Sequence, residues 1–219
     1  MALNKLKFNS INVTPAASKA IRFNSGANGF ETASAGGNMA LIKTTTLGSA
    51  AASISFVDGA SDVVLDSTYK EYIFYINNIH PATNNAHFTF QGSIDTGSNY
   101  NVAITSSAFS TEHNEGDSST DLSYQTGVDL AQGTGFQRIT SSNSHSNDDN
   151  AAAILHLFEP SSTTFAKHFI ITGNTVASAY TVGTHIAGYF NNTSAIDAIQ
   201  FKMSSGNIDA GTISLYGVV

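Results

Sequence analysis

The chain contains no cysteine, no tryptophan and only three prolines in 219 residues, and it carries few charges. Without cysteine, neither a disulfide framework nor a thiolate metal site can form. Charged residues make up 11% of the chain, whereas globular domains average about 25%. Solubility therefore rests on uncharged polar residues, mainly Ser, Thr and Asn, and stability rests on packing and on contacts between subunits.

Positive charge is especially scarce. Nine Lys and Arg residues stand against 16 Asp and Glu residues, which gives a formal net charge of −7, and the basic residues form no cluster. Proteins that bind DNA or RNA neutralise phosphates with clustered Lys and Arg. The charge balance therefore argues against a nucleic-acid partner.

Long hydrophobic runs are also missing. No segment approaches the roughly 18 apolar residues that a membrane span needs. Residues Met1–Phe8 lack the apolar run of a secretory signal peptide. We therefore expect no membrane span and synthesis in the cytoplasm, with assembly inside a cell followed by release.

The sequence does contain many short strand signals separated by polar turns. In the final stretch, Ile213 and Leu215 alternate with Ser214 and Tyr216, which is the period of two typical of a β-strand. No segment has the sustained apolar spacing of an amphipathic helix. The pattern predicts an all-β fold, a jelly-roll-like antiparallel β-sandwich with an extended N-terminal arm. The other predicted strands of the sandwich are Met39–Thr46, Ser53–Val57, Val63–Leu65, Tyr69–Ile79, His87–Gln91, Tyr100–Thr105, Ala152–Phe158, Thr164–Thr172, His185–Phe190 and Ala198–Met203.

The composition changes near Gly36 and Gly37. Residues 1–38 hold too few consecutive apolar residues to form a core alone. They predict an extended arm for attachment or subunit exchange, with a flexible tail as the alternative, and residues 39–219 predict the sandwich domain.

An arm of this composition becomes ordered only by adding strands or apolar contacts to a partner. Lys5–Phe8 and Ala20–Phe23 are candidate strands in it, and Ser25–Gly29 is a candidate turn. The predicted partner-binding anchors are Phe8, Ile11, Val13, Ile21, Phe23 and Phe30.

One long polar segment interrupts the regular strand spacing. Residues 106–150 are rich in Ser, Asp, Gly, Asn and His, and long loops of this kind in a folded domain are often functional surface or disordered. We predict a binding face there. Tyr100, Tyr124 and Phe136 are candidate rings for stacking on sugars, although tryptophan, the residue most expected on a sugar platform, is absent.

Acidic residues give no convincing metal or catalytic site. Asp58, Asp62 and Asp66 recur every fourth residue, but an EF-hand loop needs ligands at alternate positions and a final bidentate Glu. These residues are interpreted as turn caps. Asp148 and Asp149 lie in a Ser/Asn-rich stretch that does not supply the burial a catalytic carboxylate pair needs.

The histidines do not match a metal motif, because none lies at the i, i+4 spacing of a helical zinc site. His156 and His168 fall on neighbouring predicted strands, which favours a hydrogen-bonded pair or a solvent-facing ring. A ring of one His from each of three chains, binding an ion on a symmetry axis, is the alternative. The seven histidines are His80, His87, His113, His145, His156, His168 and His185.

Enzyme motifs are missing from the sequence. There is no Gly-x-Ser-x-Gly nucleophile elbow, and the Gly-rich segments lack the Lys of a phosphate loop. We predict no catalytic, cofactor-binding or metal-binding residues and no enzymatic activity.

Several segments carry a family resemblance. Asn12–Ser25, Thr68–Tyr72 with Ile79–Pro81, Gly133–Gln137 and Ser205–Gly217, about a third of the chain, resemble small β-structural proteins from the structural gene clusters of tailed bacteriophages, particularly those of marine bacteria. Ile21–Glu31 is similar to short repeats in phage fibres.

The resemblance implies a non-enzymatic virion component, assembled in the host cytoplasm and commonly homotrimeric, that contacts other capsid or tail proteins. A capsid decoration or head-fibre protein is favoured, because the chain is short for a long tail fibre. The alternatives are a tail fibre or tail-tip protein, or a module that binds a host receptor or a host-surface glycan.

Overall fold

The structure, a computed structural model, describes residues 19–34 and 38–218. Within those ranges the chain forms fourteen β-strands and no helix. The described residues therefore contain no helix that could cross a membrane. The strands are β1 (Lys19–Phe23), β2 (Phe30–Ser34), β3 (Met39–Thr46), β4 (Ile54–Val57), β5 (Glu71–Pro81), β6 (Phe88–Ser93), β7 (Ile104–Asn114), β8 (Thr120–Tyr124), β9 (Gln137–Arg138), β10 (Ala151–Phe158), β11 (Lys167–Ala177), β12 (Tyr180–Phe190), β13 (Ala198–Met203) and β14 (Ile208–Val218).

The chain divides into two units, Met1–Ala40 and Leu41–Val219. In the first, β1 and β2 form a two-stranded antiparallel hairpin in which Phe23 lies opposite Phe30. Asn24 closes the turn, because its backbone N–H donates to the carbonyl of Gly29 at 2.9 Å. The turn agrees with the predicted turn at Ser25–Gly29.

The second unit is an antiparallel sandwich of an eight-stranded and a four-stranded sheet. The strand order is β3-β14-β5-β10-β11-β12-β7-β8 in the larger sheet and β4-β13-β6-β9 in the smaller. The predicted all-β antiparallel sandwich is confirmed, and its jelly-roll connectivity stays a prediction.

Aromatic rings fill the space between the two sheets. Phe201 of β13 lies at the centre, with its ring centroid 5.3 Å from that of Phe74 on β5 and 5.7 Å from that of Phe88 on β6. Phe90 of β6 meets Phe169 of β11 in an edge-to-face contact at 5.1 Å. All five side chains are fully buried, so the packing of large rings supplies the core that few charges and no disulfides could provide.

Gly211 marks an irregularity in β14. The register between β14 and β5 shifts on both sides of Ala210, as at a β-bulge. Gly211 has φ of 142°, and a Cβ added there would lie 2.6 Å from Ile79 Cδ1. Glycine is therefore required at this position to keep the strand paired.

Three sequence predictions about the sandwich are wrong. The strand predicted at Tyr100–Thr105 begins only at Ile104, as β7. Val63–Leu65 is not a strand, because Asp58 Oδ1 accepts the backbone N–H of Leu65 at 2.8 Å and turns this segment, although Val63 and Leu65 are buried.

The polar segment 106–150 is not one exposed loop either. It contains most of β7 and all of β8, and its later part packs against the sandwich, with Val128, Ile139 and Asn143 buried. The Ser/Thr-rich composition of β7 hid its alternation, because only Ile104 and Ala108 among its inward residues are apolar.

Candidate interaction surfaces

The β1–β2 hairpin carries three of the predicted anchors on one face. Ile21 and Phe23 are two residues apart on β1, and Phe30 lies directly opposite Phe23 on β2. The two phenylalanine rings stack with centroids 4.9 Å apart, yet 66% of Phe23 remains exposed to solvent. The remaining predicted anchors, Phe8, Ile11 and Val13, lie outside the described residues.

The opposite face of the hairpin carries a charged pair beside two small residues, Ala20 and Ala33. Arg22 Nε lies 2.9 Å from Glu31 Oε1 in an exposed ion pair. Such a pair adds at most about 1 kcal/mol, and an isolated two-stranded hairpin is marginally stable in water. The hairpin therefore presents an apolar face whose burial would add most of its stability.

A second surface lies on the outer side of the eight-stranded sheet. Along β10 and β11, alternate residues are buried against the smaller sheet and alternate residues face outward. None of the outward positions of β7, β10, β11 and β12 is Lys, Arg, Asp or Glu. We call these outward residues the neutral face; they are Thr105, Ser107, Phe109, Thr111, His113, Ala152, Ile154, His156, Phe158, His168, Ile170, Thr172, Asn174, Val176, Thr181, Gly183, His185, Ala187 and Tyr189.

The neutral face is uneven, because pairs of rings project from it beside small residues. His185 and Phe109 are opposite each other on β12 and β7, and their rings stack at 4.9 Å. His168 and Tyr189 are opposite each other on β11 and β12, with ring centroids 5.9 Å apart. Between these ring pairs lies Ala187, whose small side chain leaves the surface low.

Three adjoining depressions cross the neutral face. The largest, about 500 Å³, lies over Ala187 and shares Ser107 and Ile170 with a neighbour of about 210 Å³. It shares His168 with a third depression of about 460 Å³ beside Phe165. Ile170, at the centre, is 48% exposed. The result is a continuous groove lined mainly by rings, aliphatic groups and hydroxyls, with the carboxylate of Glu159 at the end beside Phe165.

The predicted pairing of His156 with His168 does not form. His156 lies opposite Ile170 rather than His168, and its Nδ1 atom lies 2.5 Å from Glu71 Oε1 on β5. His168 packs on Tyr189 instead. Both rings do belong to the neutral face, and the ion-binding ring on a three-fold axis stays a prediction.

Most other histidines have local partners. His80 Nδ1 is 3.3 Å from Asp209 Oδ2, and His113 Nε2 is 3.1 Å from Asp117 Oδ1. His87 Nδ1 accepts a hydrogen bond from Arg138 Nη2 at 3.0 Å. Partial burial, followed by the charge of Arg138, lowers the pKa of His87.

Two of the aspartates that follow β4 accept hydrogen bonds from backbone N–H groups. Asp58 caps the turn before Leu65, and Asp66 Oδ1 accepts the backbone N–H of Thr68 at 2.8 Å. The hydrogen bonds from Thr68 are the main cause of the lowered pKa of Asp66. The interpretation as turn caps is confirmed for these two residues. In the described part of the chain no three His, Asp or Glu side chains are grouped so that they could hold a metal ion.

Asp149 differs from its sequence-based description. The residue is 5% exposed, so the expectation that this stretch lacks burial is wrong for it. Its Oδ2 atom accepts the backbone N–H of Ser178 at 3.1 Å, while Asp148 is exposed. The buried carboxylate therefore holds the β11–β12 turn and is not paired with its neighbour.

The three candidate sugar-stacking rings are not brought together. Tyr124 lies on β8, where its hydroxyl donates to Asp129 Oδ2 at 2.7 Å. Phe136 lies next to the smaller sheet, and the Nζ atom of Lys202 is 4.0 Å from the centroid of its ring. Tyr124 is part of the larger sheet and Phe136 precedes β9 of the smaller one, and each ring is engaged with a different partner, Asp129 or Lys202.

Comparisons of this chain with protein-family models, with curated proteins and with solved structures gave no match.

Sequence reasoning did not find the neutral face, although part of its signal is visible. His168, Ile170 and Thr172 follow the period of two, as do His185, Ala187 and Tyr189. Which alternate set faces solvent depends on where the smaller sheet packs. The pairing of β12 with β7, across more than 60 residues of sequence, is a property of the tertiary structure alone.

Proposed function

We propose that this chain is a non-enzymatic structural protein of a tailed-phage virion, favouring a capsid decoration or head-fibre protein. The N-terminal arm attaches to the particle, and the β-sandwich is exposed to the outside. The family resemblance motivates this assignment, and the observed all-β sandwich is compatible with it. A tail fibre or tail-tip protein is the alternative location.

The observation that carries the proposal is the exposed apolar face of the β1–β2 hairpin. Phe23, Phe30 and Ile21 lie together on that face and remain substantially accessible to solvent. Burying a large apolar side chain contributes roughly 1.5–3 kcal/mol, so a partner surface that covers the face would order the hairpin and bind it. Repeated copies on a particle would multiply such weak contacts into firm attachment.

The absence of an enzymatic role is part of the proposal. It is supported by the use of titratable side chains in local structure, including the pairs His156–Glu71 and His80–Asp209. The buried Lys167 likewise donates to the backbone carbonyl of Asn192 at 2.9 Å. These contacts stabilise strands and turns.

The test is particle binding by full-length protein and by two variants, one lacking residues 1–38 and one carrying Ile21→Ser, Phe23→Ser and Phe30→Ser. We expect both variants to stay folded and soluble and to lose at least tenfold in binding to purified particles. Ile94→Ser is the matched control, because Ile94 is an exposed isoleucine of the sandwich, and it should bind like the native chain.

Labelled protein imaged on empty capsids and isolated tails determines the location. Regular positions on capsids support a decoration or head-fibre protein, and binding only to tails supports the tail-fibre alternative. If the truncated chain still decorates particles, the arm is not the attachment element. A native chain that binds neither particle contradicts the virion assignment.

A host-receptor or carbohydrate-binding role stays a prediction. Tyr124 and Phe136 contact different partners, Asp129 and Lys202, and these contacts give no added support to a shared stacking platform. A screen against host-surface glycans separates this role from a purely architectural one, because an architectural protein should bind no sugar.

A further inference from the structure

We propose that the neutral face is an interface between copies of this chain, so that the outer side of β7, β10, β11 and β12 is buried against a second copy in solution. The proposal concerns the sandwich alone and does not depend on the virion assignment. It rests on the charge, the apolar content, the size and the relief of this face.

Charge is the first argument for a second copy as the occupant. Each chain has a formal net charge of −7 at pH 7, so two copies repel each other at most relative orientations. The outward positions of these four strands carry no Lys, Arg, Asp or Glu. The carboxylates beside them, Glu71, Asp117 and Glu159, are paired with His156, His113 and Lys70. Contact through this face therefore brings no like charges directly together.

The apolar content is the second argument. Ile170 and Phe109 stand exposed near the middle of the face, and Leu122 and Tyr124 continue the exposed apolar surface on β8. Charged residues are depleted, and aromatic residues enriched, in the cores of protein interfaces. The exposed Ile170 at the centre gains from apolar burial, which favours a protein partner.

The size of the face fits a subunit contact. Four adjacent strands, about 4.8 Å apart and about 30 Å long, cover roughly 570 Å² before their relief is counted. Specific interfaces bury about 800 Å² on each partner. The five residues of β8 add roughly 80 Å², so the neutral face together with β8 supplies most of that area, whereas a contact with a small ligand would leave most of it exposed.

The relief allows close packing between two such surfaces. Ring pairs such as Phe109 with His185 stand beside the low region at Ala187. A projecting ring from one copy can occupy the depression of about 500 Å³ on the other. Contacts of this kind form either an isologous pair or a ring around an axis.

The experiment is sedimentation equilibrium with light scattering on the full chain from 1 to 100 µM, at neutral pH and moderate salt. We expect the native protein to have a mass two or three times the 22.9 kDa of the chain. Ile170→Glu should weaken association at least tenfold, because it places an unpaired carboxylate at the centre of the interface. Ala187→Glu, which fills the depression, should do the same.

The matched control is Ile94→Glu. Ile94 is an exposed isoleucine outside the neutral face, and its substitution changes charge and hydrophobicity in the same way, so this variant should associate like the native chain. Circular dichroism and urea unfolding of each variant separate lost association from lost folding.

Three results overturn the proposal. They are a native chain that stays monomeric at 100 µM, an assembly that Ile170→Glu and Ala187→Glu leave intact, and equal weakening by Ile94→Glu. A monomer that binds maltotetraose or chitotetraose, and loses this binding with Ile170→Glu, would assign the face to a neutral glycan instead. Particle binding through the arm is measured separately, so either proposal can fail without the other.

Discussion

His87 and Arg138 form a contact that requires the neutral imidazole. A guanidinium group only donates hydrogen bonds, so the 3.0 Å contact from Arg138 Nη2 makes His87 Nδ1 the acceptor. Partial burial is the main cause of the lowered pKa of His87, and the Arg138 charge adds to it. A protonated ring would lose this hydrogen bond and face a like charge.

The stability of the protein should therefore depend on pH through His87. Because its pKa is lowered in the folded chain, the unfolded chain takes up the proton first as the pH falls. The stabilisation is complete above the unfolded value of about 6.5 and is lost as the pH falls through the folded value. Urea unfolding from pH 7.5 to 4.5 should show a smaller loss for His87→Gln than for the native chain, and parallel pH curves would contradict this role.

At the scale of the strand, the bulge at Gly211 lets β14 pair with β5 along its whole length. Gly211 lies in the positive-φ region at 142°, where a side chain is strained. Its carbonyl also accepts the backbone N–H of Leu47 at 3.0 Å. The bulge therefore couples the end of β3 to the centre of the larger sheet.

Replacing Gly211 with Ala should destabilise the sandwich. The new Cβ would lie 2.6 Å from Ile79 Cδ1 and 3.2 Å from the carbonyl oxygen of Asn78, and the strained backbone alone costs about 1–3 kcal/mol. Gly48→Ala is the control, because no atom lies within 4 Å of a Cβ built there, and its effect should stay within about 0.5 kcal/mol. Equal free energies of unfolding for the two variants would show that β14 adapts to a side chain.

At the scale of the whole molecule, the net charge of −7 opposes association while the neutral face favours it. Salt shortens the screening length from about 30 Å at 0.01 M to about 10 Å at 0.1 M. Association through an uncharged face should therefore become tighter over this range. Sedimentation at the two salt concentrations measures this, and weaker association in 0.1 M salt would indicate an interface of ion pairs.

Much of the sandwich could be predicted from the sequence, because the alternation of buried and exposed side chains along a strand depends on neighbouring residues. Ile213 and Leu215 alternate with polar residues and are fully buried in β14. β7 could not be recognised in the same way, since its inward Ser106 and Ser110 resemble loop residues and the partners of Ser106 are distant in the chain. Ser106 Oγ, for example, donates to Gln137 Oε1 at 2.6 Å.

The sequence by itself determined the class of fold, the scarcity of charge and the apolar residues of the arm, because these follow from composition and from a period of two. Only the tertiary structure decided which alternate residues face outward and which strands lie side by side. Strand pairing joins residues far apart in the chain, such as Phe109 with His185, and no local pattern specifies that pairing. The neutral face exists because four such strands become neighbours and turn their uncharged sides the same way.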